Sequence, residues 1–236
     1  MMSLSDWLAT DEVQKLKSES MGKLVASSFH RDPLRRIYID PTVFYAPADG
    51  VILYAKEVQP GESILNIKGK SYTLQDALDD PEYNQPSIVV GIFMTQYSVH
   101  VNRVPTSGYI VEQHRTPFLF TPRVSMKLEE DELFENDIDP EDAGYLFANE
   151  RRIVSVYSSG LKTKYYLIQI GEKDVDQICN FRDRSHYTQG DRYGIVRFGS
   201  QLEFILPLSK NHNYQIEALV KHVVRAGIDT IVRVLS

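Results

Sequence analysis

Three side chains, met in the order aspartate, histidine, serine, could carry chemistry in this sequence. Ser200 ends the run Tyr193-Gly194-Ile195-Val196-Arg197-Phe198-Gly199-Ser200, so its hydroxyl sits beside the carbonyl of a residue free of Cβ restraint. His100 lies in Val99-His100-Val101-Asn102-Arg103-Val104-Pro105, downstream of the apolar run Val89-Val90-Gly91-Ile92-Phe93-Met94. Asp49 closes a proline turn, Pro47-Ala48-Asp49-Gly50, that feeds into Val51-Ile52. A carboxylate that orients an imidazole, an imidazole that takes a proton and a hydroxyl that attacks make a nucleophilic triad, which geometry defines rather than chain order. Each member also has a plainer reading. Gly-Ser between strand-like runs is a common bulge or turn, Asp-Gly is ordinary turn chemistry, and a histidine after a buried strand is often a structural hydrogen-bonding residue. Spacing alone leaves the choice open.

The elements that must position these residues are mostly strands. Beyond Pro33 the sequence breaks into short apolar or alternating runs bounded by Gly, Pro, Asn and Asp. Strands are predicted at 38–39, 50–57, 63–67, 87–93, 108–113, 153–157, 165–170, 195–198, 202–205 and 230–234, and a helical turn at 76–78. Ahead of Pro33, residues 3–29 favour helix, with Leu4, Trp7, Leu8, Val13, Leu16, Leu24 and Val25 at roughly helical spacing. Thr10-Asp11-Glu12 predicts a second helix start. With Trp7 as an anchor and Lys15, Lys17 and Lys23 nearby, this segment suits a lipid interface; it suits packing on its own domain or a partner subunit equally well. The expected fold class is mainly β (α+β) with an N-terminal helical segment.

At 236 residues and 42% hydrophobic content, the chain can bury one sizeable core. The formal charge of -6 is uneven, because residues 129–142 hold nine carboxylates and no Lys or Arg, leaving 26 basic against 23 acidic residues elsewhere. That balance permits contact with anionic surfaces, and no nucleic-acid partner is expected. The acidic stretch reads as a solvated loop. One cysteine, Cys179, rules out an internal disulfide framework and reads as a buried small hydrophobe. No apolar run approaches the ~20 residues of a membrane span, and the N-terminus lacks the basic-then-apolar order of a signal peptide. The expected location is cytoplasmic, peripheral to a membrane, and no metal site is expected.

The wording of the three stretches resembles the phosphatidylserine decarboxylase family, in its short-chain, pyruvoyl-dependent branch. The resemblance begins at Phe29-His30-Arg31-Asp32-Pro33-Leu34-Arg35-Arg36, similar to the family's basic entry segment, and includes Pro47-Ala48-Asp49-Gly50. It is strongest in Ile92-Phe93-Met94 and in Val99-His100-Val101-Asn102-Arg103-Val104-Pro105, which is similar to the family's Val-His-Val-Asn-Arg-Ala-Pro signature. It continues in Leu146-Phe147-Ala148-Asn149-Glu150-Arg151, in Leu167-Ile168-Gln169-Ile170-Gly171 and in Arg197-Phe198-Gly199-Ser200. Two positions depart from the pattern. Gln201 stands where the family more often has Thr, Arg or Cys, and Arg103 stands where the long-chain branch has a second histidine.

The resemblance implies a β-sandwich or barrel-like decarboxylase domain over 37–236, with 1–36 as a helical, membrane-contact segment. It implies a precursor that cuts itself between Gly199 and Ser200. Ser200 Oγ attacks the Gly199 carbonyl with His100 as base and Asp49 holding its tautomer; elimination then leaves chains 1–199 and 200–236. The second chain begins with a pyruvoyl cofactor made from Ser200, which forms a Schiff base with the substrate amine and accepts the electrons freed as carbon dioxide leaves. His100 is the candidate to return a proton, and Asn102 and Arg103 are candidates to contact a phosphodiester, with a structural ion pair the equal alternative for Arg103. The implied reaction converts phosphatidylserine, or a closely related serine phospholipid, to phosphatidylethanolamine. A serine ether lipid, a soluble amino acid, or a non-catalytic lipid-binding or scaffold module of the same fold are the alternatives. Implied partners are the phospholipid, a membrane surface, each cut chain for the other and, left open, a second copy as a homodimer.

Overall fold

The computed structural model describes residues 1–116, 125, 126, 131, 133, 134, 143–173, 178–181, 185–197 and 200–235, with the backbone alone at 112–116, 180 and 200. Chain order starts with β1 (Met2–Ser3), β2 (Val43–Tyr45), β3 (Gly50–Val58), the hairpin of β4 (Ser63–Ile67) and β5 (Lys70–Thr73), and β6 (Ser87–Met94). It continues through β7 (Val101–Arg103), β8 (Gly108–Thr116), β9 (Arg151–Ser158), β10 (Thr163–Gly171), β11 (Ile178–Asn180) and β12 (His186–Tyr187). The last strands are β13 (Arg192–Val196), β14 (Ser200–Pro207), β15 (Asn213–Ile216), β16 (His222–Val224) and β17 (Thr230–Leu235).

One antiparallel sheet has the order β1-β16-β3-β6-β14-β10-β9-β8-β12, and two smaller sheets run β11-β13-β7 and β15-β17-β2. The first core fills the space between the large sheet and the two small ones, where Phe44, Ile92, Tyr165, Val196, Phe204 and Val232 meet. The second core lies on the other face of the large sheet, under the β4–β5 hairpin, the helix Leu74–Leu78 and the turn of helix Tyr145–Ala148. β6 is buried at every position, as a strand covered on both faces must be, and that is why it reads as a continuous apolar run. β14 alternates Leu202, Phe204 and Leu206 into the first core with Ile205 into the second. Gly50 is required where β3 meets β6, because a Cβ there would stand 2.1 Å from the Phe93 carbonyl oxygen.

The expected class, mainly β (α+β), is the observed one, and the sheets are open. The strand predicted at 38–39 does not form: those residues are irregular, and Tyr38 and Ile39 are exposed with no strand beside them. Of the strand predicted at 195–198, Ile195 and Val196 end the strand Arg192–Val196, which pairs with β7 and β11, Arg197 falls outside it, and Phe198 lies outside the described residues. The unpredicted strands β7, β11, β12 and β16 are two or three residues long and β5 and β15 four, too short for alternation to register.

The N-terminal segment forms the helices Leu4–Leu8, Asp11–Lys17 and Met21–Lys23, each capped by a hydroxyl, from Ser3, Thr10 and Ser20, and then a π turn, Leu24–Ser28. The start predicted at Thr10 is present. The segment packs on its own domain: Met2 and Ser3 pair with Val223 and His222, the amino group of Met1 lies 2.6 Å from Asp229, and Leu4, Val13, Leu16 and Leu24 are buried. Among the described residues, no helix is long and apolar enough to cross a membrane. Within the acidic stretch 129–142 only residues 131, 133 and 134 are described. Leu133 is buried in the second core and Phe134 stacks on Tyr97 at 5.7 Å, so these two apolar residues are anchored rather than solvated. The remainder of that stretch lies outside the described residues.

Candidate active site

His100 is set by a turn at the end of β6. Thr95 donates its N–H to Ser98 Oγ at 3.1 Å and Ser98 donates its N–H back to the Thr95 carbonyl at 2.9 Å, which reverses the chain just before β7. The histidine that follows is fully buried. Its backbone N–H donates to the Phe29 carbonyl at 3.1 Å and its carbonyl accepts from the Val196 N–H at 3.3 Å. Its ring nitrogens lie between two carbonyls, Nδ1 3.0 Å from Val196 O and Nε2 3.1 Å from Thr95 O.

One of those carbonyls belongs to the residue next to the strand partner of Ser200. Thr95 follows Met94, the partner of Ser200 on β6, while Gly171 is its partner on β10. Val196 ends β13, four residues before Ser200. The imidazole thus lies against one carbonyl next to the strand partner of Ser200 and another at the end of β13. Gly199 lies outside the described residues, and Ser200 is described by its backbone.

Burial pushes the pKa of His100 down to about 4, against the two carbonyls, which favour the imidazolium; Arg31 and His30 add to the downward shift. Near neutral pH the ring is therefore uncharged and carries one N–H. It donates to one carbonyl, and its other nitrogen keeps a lone pair with no donor beside it among the described residues. Such a nitrogen can accept a proton from a hydroxyl brought to it.

Asp49 is held elsewhere. Arg35 grips both carboxylate oxygens, Nη1 to Oδ1 and Nη2 to Oδ2 each at 2.6 Å, and the Ala226 N–H donates to Oδ1 at 2.8 Å. Arg35 also donates to the Ala226 carbonyl at 2.8 Å. The expected contact between Asp49 and the His100 ring is not made in this arrangement. A bidentate guanidinium satisfies a largely buried carboxylate better than one imidazole N–H, and the one N–H of the neutral ring already donates to a backbone carbonyl.

Asn102 and Arg103, adjacent on β7, turn to opposite faces. Asn102 is fully buried, accepting from Gln169 Nε2 at 2.7 Å and donating to Met94 Sδ at 3.3 Å. Arg103 donates to the Gly190 carbonyl at 2.9 Å and to Asp32 at 2.7 Å, and its face of the sheet lines a cavity of about 990 Å³. Arg192, which also pairs with Asp32, and Arg197 line the same cavity, as do Val101 and Ile195. Cys179, expected as a buried hydrophobe, is half-buried on this wall. Among the described residues, no group of three or more His, Cys, Asp or Glu side chains could hold a metal ion.

Behind the Ser200 position, Gln201 and Glu203 lie in a buried polar chain. The Tyr54 and Tyr72 hydroxyls both donate to Glu203, the second at 2.8 Å; Gln201 donates to Tyr54 Oη at 2.8 Å and accepts from the Tyr145 hydroxyl at 2.6 Å. The Tyr54 ring fits because Gly91 has no Cβ, which would stand 2.3 Å from it. Gln201, a departure from the family pattern, is therefore fitted to its two tyrosines. Residue-by-residue reading missed Phe29, Asp32, Arg35, Arg192 and Arg197. The first three lie in the stretch marked as a basic entry segment, and that was their only signal.

A family profile described as phosphatidylserine decarboxylase matches residues 23–232. The chain belongs to the phosphatidylserine decarboxylase family. It is 29% identical over 203 residues to the phosphatidylserine decarboxylase proenzyme of Chlorobium phaeobacteroides, covering 86% of this chain and 73% of that protein. It is 29% identical over 186 residues to the proenzyme of the same name from Wolbachia sp. subsp. Brugia malayi, covering 78% and 66%. With that of Rickettsia akari it shares 29% over 181 residues, covering 76% and 64%. The chain thus spans about two thirds of the length of these decarboxylase relatives, and the family match takes in Asp49, His100 and Ser200.

Proposed function

We propose that this chain is a self-processing, pyruvoyl-dependent decarboxylase that converts phosphatidylserine, or a closely related serine phospholipid, to the ethanolamine lipid and carbon dioxide. The observation that carries this reading is the placement of His100, buried and uncharged near neutral pH, with its ring against the carbonyl of Thr95, whose neighbour Met94 pairs with Ser200, and the carbonyl of Val196, which ends the strand before Ser200. In self-cleavage His100 takes the Ser200 hydroxyl proton as Oγ attacks the Gly199 carbonyl, turning the peptide bond into an ester. Loss of the Ser200 α-proton then expels the Gly199 carboxylate, and hydrolysis of the resulting dehydroalanine releases ammonia. Asp49 acts through Arg35: their clamp fixes the strap of residues 29–36, whose Phe29 covers the imidazole.

Ser200 fits a cofactor precursor because its backbone opens a central strand, paired on both sides and followed by fully buried residues. A pyruvoyl group there supplies a carbonyl that captures an amine and draws off the electrons released with carbon dioxide. His100 holds the proton returned to the substrate carbon. The large cavity receives the headgroup, where the three guanidiniums of Arg103, Arg192 and Arg197 against the two carboxylates of Asp32 and Asp191 suit a phosphodiester. Leu34, Tyr38 and Ile39, 99%, 71% and 65% exposed on the strap and the chain just after it, are apolar side chains that suit a membrane surface, and Ile39 also lines the cavity.

Denatured intact mass tests the reading. The purified parent should appear as chains 1–199 and 200–236, the second with the mass of a pyruvoyl terminus, and should release carbon dioxide from phosphatidylserine vesicles. Ser200→Ala should remain one chain and be inactive. A parent that stays whole on long incubation, or a Ser200→Ala chain that still splits, overturns the assignment.

A further inference from the structure

His100 is covered by a residue from outside the sheets. The Phe29 ring stacks on the imidazole with centroids 4.5 Å apart and planes 8° from parallel, and both side chains are buried. The two residues are also joined through the backbone, since Phe29 O accepts the His100 N–H. Phe29 is delivered by the π turn Leu24–Ser28, whose wider winding closes with Phe29 N–H donating to Leu24 O at 3.1 Å. π turns are uncommon and often mark functional positions. Around it, Leu16, Leu24 and Phe29 form a small core of their own with Val25 and Tyr97.

We propose that Phe29 is a positioning residue for His100 in self-cleavage, its ring fixing the plane of the imidazole and keeping water from it. This rests on His100 being the base. The Thr95 and Val196 carbonyls set where the ring nitrogens point, and the aromatic face prevents the ring from turning away from them. The same cover keeps the base uncharged. Arg31 and His30, the charged and titratable groups whose fields reach the imidazole, lie on the same strap and also disfavour the imidazolium, so opening the Phe29 site to water changes mainly the burial contribution. The N-terminal segment, read from sequence as a lipid or packing element, is by this inference part of the processing machinery.

The test follows conversion of freshly translated full-length precursor to the two cut chains between pH 5 and pH 8. The parent, with its base near 4, should cleave at a rate that is nearly flat over this range. Phe29→Ala admits water to the imidazole and should bring an acid limb into the window, its midpoint moving toward the ordinary histidine value by about 2 pH units. Phe29→Leu keeps the site apolar but removes the flat face, and should slow cleavage about tenfold with little change of midpoint. His100→Ala separates the two ideas. If it cleaves at the parental rate, the base assignment fails. If it is blocked while both Phe29 variants match the parent in rate and profile, or while Phe29→Ala brings no acid limb into the window, Phe29 does not position and shield the imidazole.

Discussion

A histidine with two acceptors and no water has an unequal pair of protonation states. His100 gains two carbonyl partners when charged but loses its hydration, and burial wins, leaving its pKa near 4 against about 6.5 in an unfolded chain. Its contribution to stability is therefore full above pH 6.5 and is lost as pH falls toward 4. The size of that loss is about 3 kcal/mol, at 1.36 kcal/mol per pKa unit. Glu203 slopes the other way. Burial raises its carboxyl pKa despite the two phenol donors, so its contribution is full below the ordinary carboxyl value and is lost as pH rises through the raised one. Urea unfolding of the uncut Ser200→Ala chain, with and without His100→Gln, isolates the histidine. The difference in stability between the two should shrink by about 3 kcal/mol from pH 7 to pH 4; a constant difference would mean that the imidazole is not dry.

At the scale of elements, the strap of residues 29–36 is tied to the sheets by two ion pairs, Arg35 with Asp49 and Arg103 with Asp32. The first joins three segments, because Ala226 both donates to Asp49 and accepts from Arg35. Removing one partner leaves the other charge largely buried and unpaired, so Arg35→Ala should cost about 3–5 kcal/mol in urea unfolding. Arg35→Lys should recover little of it, since an ammonium cannot match both carboxylate oxygens in a plane. Full recovery by lysine would show that charge alone, rather than the bidentate clamp, holds the strap.

For the whole molecule, the proposed cut would fall where the fold can best withstand it. β14 lies between β6 and β10, with eight residue pairs to the first and six to the second, so the chain beginning at Ser200 supplies a central strand. It also supplies β16 to the large sheet and β15 and β17 to a smaller one. Leu202, Phe204, Ile205, Leu206, Ile231 and Val232 are all fully buried, and exposing each costs about 2 kcal/mol. The cut chains should therefore co-elute in native gel filtration and part only in denaturant. Separation under native conditions would show that the second chain is held less firmly than its place in the sheet implies.

The sequence by itself determined the class of fold and the family, because both depend on local patterns: alternation and apolar runs for strands, proline and glycine for turns, and ordered motifs around Asp49, His100 and Ser200. The Thr10 helix start was legible for the same reason. Partner choice was decided only in three dimensions. His100 meets Val196 across 96 residues, Arg103 meets Asp32 across 71, and Glu203 meets Tyr54 across 149. Whether Asp49 faces an imidazole or a guanidinium depends on which group the packed strap brings within reach, and a buried carboxylate pairs with the charge that can satisfy both its oxygens. Asn102 and Arg103, neighbours in sequence, end in a dry core and on a cavity wall because successive side chains of a strand point to opposite faces, and only the packing of the small sheet on the large one decides which face is which.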